Sequence, residues 1–124
     1  MKLRQMVQSR LSERRDILLT KEGGPRRHGV RYWTYLIRGE HTGLIKIGRS
    51  HNLIKRFRSL KTASPDVLTL AGVIVGDYER ALHRRFAAYR VRGEWFKPVV
   101  LSLIASQLDV LPGERFLPKT VEKI

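Results

Sequence analysis

The side chains best suited to chemistry in this sequence are Tyr35, Lys46, Arg56 and Glu79, with Gly48 between them. They fall in the frame Y-L-I-x8-K-I-G-R-S-x5-R, followed by E-R-A-L-H-R-R-F from Glu79 and G-E-W-F from Gly93. Hydrolysis of a phosphodiester has three requirements. A water must be deprotonated and aligned. A cation must offset the charge growing on the phosphoryl oxygens. The departing oxygen must be stabilised. A phenol, an arginine and a carboxylate able to hold one divalent metal supply these.

Tyr35 is the candidate base. Lys46, on the neighbouring strand, is its candidate partner, because a nearby positive charge favours phenolate. Gly48 lets the backbone turn without a Cβ and lets a phosphate approach closely. The Arg56 guanidinium suits bidentate contact with phosphate. Glu79 opens a helix, where the dipole favours a carboxylate. It is the candidate ligand for Mg²⁺ or Mn²⁺, a hard cation that needs few protein ligands. Arg49, His83, Arg90 and Arg92 are second-tier contacts to substrate, and Glu94 is a metal candidate behind Glu79. Taken singly, each residue has an ordinary structural explanation. Trp95 and Phe96 read as core residues rather than base-stacking ones. No phosphate-cradling G-x-x-x-x-G-K-[ST] loop, G-x-S-x-G elbow or H-E-x-x-H pair competes, and the four histidines lack zinc-like spacing.

The surroundings fit a polyanionic substrate. The 124 residues suffice for one compact domain with short extensions. Twenty-five Lys and Arg against eleven Asp and Glu give a net charge of +14, and phosphates give such a surface sequence-independent affinity. Residues 1–31 carry nine basic and three acidic groups, 32–97 carry thirteen and five, and 98–124 carry three of each. The attraction therefore belongs to the first two segments. The absence of cysteine excludes disulfides and thiolate metal sites. No apolar run approaches the roughly 20 residues of a membrane span, and the first residues lack the apolar stretch of a secretory signal. These features predict a soluble, cytoplasmic protein that binds nucleic acid, most naturally DNA, and no membrane.

Several elements must position these groups. Residues 3–19 predict a short amphipathic, basic helix, and K-E-G-G-P-R-R-H-G at 21–29 a loop. Residues 32–38 and 44–48 predict two strands of an antiparallel hairpin. Asn52 predicts an N-cap for a helix over 53–61 that buries Leu53, Phe57 and Leu60. Residues 67–75 predict a third, well-buried strand. Gly76 and Asp77 then introduce a helix over 78–91, residues 92–96 form a turn, and a last helix spans 98–110 before an extended tail. The order ββαβαα implies a small α+β domain. The chain divides into 1–31 (basic helix and linker), 32–97 (core) and 98–124 (helix and tail).

Residues 32–97 resemble the GIY-YIG nuclease superfamily, most closely its compact phage-type branch. The third block of that branch reads E-x-x-L-H-x-x-F and then R-x-x-G-E-W-F. The spacings from Tyr35 to Lys46 and from Gly48 to Arg56 match its pattern. Trp33-Thr34-Tyr35 departs from its first motif, and Lys46 stands where its second tyrosine usually does, so a second-tyrosine base is not carried over. The resemblance implies a three-stranded antiparallel sheet flanked by helices and a metal-dependent endonuclease, with Glu79 as metal ligand. A non-catalytic nucleic-acid-binding module on that scaffold is the alternative, and a basic particle protein a third. So small a chain also implies either low intrinsic specificity or specificity supplied by a homodimer or a partner.

Overall fold

The computed structural model describes residues 26, 27 and 29–117. The expected helix over 3–19, His28 and the end of the tail lie outside the described residues. The chain first forms two short strands, β1 (Arg26–Arg27) and β2 (Val30–Arg31), which pair with each other around Gly29 in the left-handed region. The loop expected over 21–29 thus contains a short strand at Arg26–Arg27; two residues carry no periodicity.

The main sheet is built on β3 (Trp33–Gly39), β4 (Ile45–Ser50) and β5 (Leu68–Val75). β3 lies between the other two and is antiparallel to both. Its residues 33–37 are all buried, as expected of a central strand covered on both faces. The expected three-stranded sheet is corrected here: the sheet has six strands, all antiparallel, in the order β6-β7-β4-β3-β5-β8. Three short strands extend it. β6 (Arg90–Arg92) and β7 (Trp95–Phe96) add to the β4 edge, and β8 (Leu111–Pro112) adds to β5. Two or three residues are too few to show alternation, so the edges were illegible where the centre was not.

Among the described residues three α-helices accompany the sheet. α1 (Leu53–Ala63) is capped by Asn52, whose side chain accepts from the Lys55 N–H at 3.3 Å, and it buries Leu53 and Phe57. α2 (Glu79–Arg85) is shorter than the expected 78–91. After Phe86 the chain tightens into a 3-10 turn (Ala87–Tyr89), enters β6, and reverses through Gly93 at φ +55° to pair Arg92 with Trp95. Sheet pairing at the edge overrides the helical stripe that the sequence shows there. α3 (Val99–Gln107) buries Val100 and Ile104 in the same core as the sheet. The expected extended tail is instead β8 followed by a 3-10 turn over Gly113–Phe116, with the Phe116 ring edge-on to Trp33 at 5.3 Å.

One buried polar contact fixes where α2 begins. Thr34 is fully buried on β3; its hydroxyl donates to the Gly76 carbonyl at 2.7 Å and accepts from the Tyr78 N–H at 2.8 Å. Gly76 turns at φ +101°. The expected cap, Asp77, pairs with Arg49 instead. Thr34 thus does from the sheet what a side-chain cap would do from the helix. Among the described residues no helix is long and apolar enough to cross a membrane.

Candidate active site

Tyr35 stands opposite Gly48 across the β3–β4 pair. The ring lies over that glycine so closely that a Cβ at 48 would sit 2.7 Å from Tyr35 Cε1 and nearer still to Cζ and the hydroxyl oxygen. Gly48 is inside β4, not at its end. The room left by its missing side chain is occupied by the phenol. Tyr35 is only 2% exposed, and Arg56 is close enough for the two side chains to act on each other electrostatically. Arg56 itself is an exposed residue of α1. The sheet therefore buries the ring, and the helix brings a cation to its polar tip.

The expectation that a cation lowers the Tyr35 pKa is corrected in its net direction. Burial comes first and pushes the phenol above its ordinary value; the Arg56 guanidinium nearby opposes it without overcoming it. The cation that meets the phenol is also not Lys46. Lys46 sits diagonally from Tyr35 on the same sheet face, but its ammonium pairs with Glu94 at 3.1 Å and lies 5.5 Å from the Trp95 ring centroid. Trp95 is opposite Lys46 in the β4–β7 pair, which explains both contacts.

Glu79, half-buried in the first turn of α2, has its carboxyl held above the usual range, by burial first and by the Glu94 charge second; Arg49 acts in the opposite sense. Glu79 and Glu94 both act electrostatically on Tyr35 and on Arg56. The fold thus brings Tyr35, Arg56, Glu79 and Glu94 into one electrostatic neighbourhood, with Lys46 joined through Glu94. Glu94, the metal candidate behind Glu79, acts on Tyr35, Arg56 and Glu79 alike. Its signal was local: Gly93-Glu94 forms the two-residue turn between β6 and β7, and the Glu94 carbonyl accepts from the Ile47 N–H at 3.0 Å.

The second-tier residues separate into two groups. His83 docks α2 onto β4. Its Nε2–H donates to the Ile47 carbonyl at 2.8 Å, just where β7 stops covering that strand, and its ring is edge-on to Phe96 at 5.0 Å. Nδ1 then accepts from Arg90 at 3.5 Å, the outer limit of a hydrogen bond. Arg90 lies 5.4 Å from the Phe96 centroid, and Arg92 is exposed on the edge strand. Arg49 is held differently: it pairs with Asp77 and lies over the Tyr32 ring, and it acts on Glu79 in the same sense as His83, which acts more strongly.

Among the described residues no group of three or more His, Asp or Glu could enclose a metal ion. The donors at the site are two carboxylates, Glu79 and Glu94. That is a hard-oxygen set, suited to a cation that keeps most of its waters and takes further oxygens from a phosphate. Among the described residues a full protein cage does not fit; a one- or two-carboxylate site does.

Comparison with known proteins finds one family, described as the T5orf172 domain, whose model matches residues 32–110. No curated protein and no solved structure matches the chain. The GIY-YIG resemblance is overturned by this finding: no model of that superfamily matches, and the family that does is a different one. The T5orf172 family is nuclease-like and DNA-binding, consistent with a nucleic-acid-related role and a nucleic-acid partner. With 32–110 matched, more than half its length, this chain belongs to the T5orf172 domain family.

Proposed function

We propose that the protein is an endonuclease that hydrolyses phosphodiester bonds of DNA. The observation that carries this reading is the Tyr35 phenol lying over Gly48, with the Arg56, Glu79 and Glu94 charges all close enough to act on it. A protonated guanidinium on the solvent side of a buried phenol gives a phosphate one cationic contact and gives a water one oxygen partner. Arg56 clamps the phosphate and offsets charge as the attacking oxygen bonds to phosphorus. Tyr35 holds the attacking water and, in the fraction whose phenol has first lost its own proton to solvent, receives the water's proton; because burial disfavours the phenolate, that phenolate is scarce and strongly basic. Glu79, with Glu94 beside it, would hold Mg²⁺ or Mn²⁺. When bound, such a cation supplies Lewis-acid polarisation of the phosphate and stabilises the departing oxygen. Lys46 keeps Glu94 in place through their ion pair.

A binding-only module is the second reading, favoured by one observation: Tyr35 is buried and held protonated. The two separate in one experiment. Purified protein is incubated with supercoiled plasmid in Mg²⁺ or Mn²⁺ and in chelator, beside a Glu79→Ala variant. Metal-dependent nicking by the wild type, lost in a variant that still shifts DNA, is the expected result. A variant that cuts as fast as wild type removes Glu79 from the mechanism. Binding without nicking by either protein leaves the binding module.

A further inference from the structure

We propose that Tyr32, Arg49 and His51 form a stacking subsite for an unpaired nucleobase beside the scissile phosphate; this deepens the nuclease reading and rests on it for the subsite's role. The three residues lie where β3 begins and β4 ends, at the end of the sheet nearest α2. The Arg49 guanidinium lies 4.8 Å from the Tyr32 ring centroid. The His51 ring meets the Tyr32 ring edge-on at 6.0 Å. Asp77, two residues before α2, holds Arg49 from the side through its carboxylate, and that carboxylate's side chain is only 5% exposed.

Three features separate this from an ordinary surface arginine. First, the guanidinium is fixed in a plane: a carboxylate grips its NH1 and an aromatic ring supports its face. Second, it is not enclosed. The Arg49 side chain keeps 40% of its surface exposed, and His51 is exposed next to it. A planar cation braced from one side and open on the other offers a face on which a base can stack, as arginine planes and aromatic rings do in single-strand recognition. Third, it is in reach of the chemistry, because the Arg49 charge acts on the Glu79 carboxyl. Asp77 offsets much of the Arg49 charge, so the contribution to DNA binding comes from its flat surface more than from attraction to phosphate. A base seated there has left its own stack, which makes the preferred substrate single-stranded or distorted at the position next to the cut.

The experiment uses short single-stranded DNA oligonucleotides with one abasic position walked through the sequence. They are compared with the intact oligonucleotide in a binding assay with the full chain carrying Glu79→Ala, so that cleavage plays no part. One position is expected where loss of the base weakens binding about tenfold, the usual share of a stacked base. Adding Arg49→Lys keeps the charge and removes the plane. It is expected to weaken the intact oligonucleotide about tenfold and to leave the abasic one unchanged. Tyr32→Leu, which removes the supporting ring and keeps the bulk, is expected to act in the same direction. Equal weakening of intact and abasic DNA by both variants, or no weakening of either, overturns the proposal. The nuclease reading fails separately: a wild-type protein that never nicks but shows the base-dependent loss keeps the subsite and rejects the hydrolase.

Discussion

The Tyr35 ring and Gly48 occupy the same space across the β3–β4 pair, and only the absence of a side chain at 48 lets the ring lie there. That contact aims the phenol at Arg56. Gly48→Ala forces either the ring or the strand to move. The expected cost is about 1–3 kcal/mol, the range for overpacking a core, seen as a lower denaturant midpoint. In a Tyr35→Ala background the same substitution should cost far less. Additive costs in that double-mutant cycle would show that the ring does not set the glycine requirement.

Thr34 is the buried polar residue that joins the central strand to the start of α2. Thr34→Val keeps the shape and strands the Tyr78 N–H and the Gly76 carbonyl. A loss of about 1–3 kcal/mol is expected in chemical denaturation. Because the same turn places Glu79, nicking should fall as well, at temperatures where the variant is fully folded. Unchanged stability would mean that water replaces the hydroxyl.

Glu79 carries a pKa raised by burial and by Glu94. A carboxyl raised in the folded state binds its proton more tightly there than when unfolded. Its ionisation therefore costs stability as pH rises from the unfolded value, near 4.5, through the higher folded one. Glu79→Gln removes that cost. The variant should melt higher than wild type at neutral pH, with the gain vanishing below about pH 4, while nicking is lost. A variant that melts lower at neutral pH would show that the carboxylate is structural.

Arg56 is exposed, so its loss should matter to rate more than to folding. Arg56→Ala is expected to lower the nicking rate about 10²–10³-fold, as removal of one transition-state donor does, with a melting temperature close to wild type. Arg56→Lys should recover only part, since a point charge lacks the fork. Full recovery by lysine would reduce the role to charge alone.

Tyr35 is held above its ordinary pKa of 10.0 by burial. If it takes the proton of the attacking water, the rate should climb with pH from about pH 6 to about pH 9 and still be rising there. Tyr35→Phe should flatten that slope. A wild-type profile that is already level across the range assigns Tyr35 to orientation of the water and not to its deprotonation.

The central features were legible because they are long and patterned. Residues 68–75 are apolar enough to read as a buried strand, and Asn52 with Leu53 and Phe57 marks the start and the inner face of α1. The spacing of Tyr35, Gly48 and Arg56 pointed to residues that the fold does bring together. The partner of the phenol was not legible. Lys46 and Arg56 are both cations near it, and only the β7 pairing that puts Trp95 and Glu94 beside Lys46 decides between them. The sign of the Tyr35 shift was hidden for a similar reason: neighbours can be guessed from spacing, whereas burial depends on the whole sheet. The edge strands were missed because two residues have no period, and with them the placement of Glu94.

The second carboxylate of the site rides on the tip of the β6–β7 ribbon, whose outer strand is exposed at all three residues. It is secured by one amide to β4 and one ammonium. Such a ribbon can fray from the sheet while the centre stays intact. Warming should therefore silence this protein before it melts, and a tether across that ribbon should widen the thermal range in which it works.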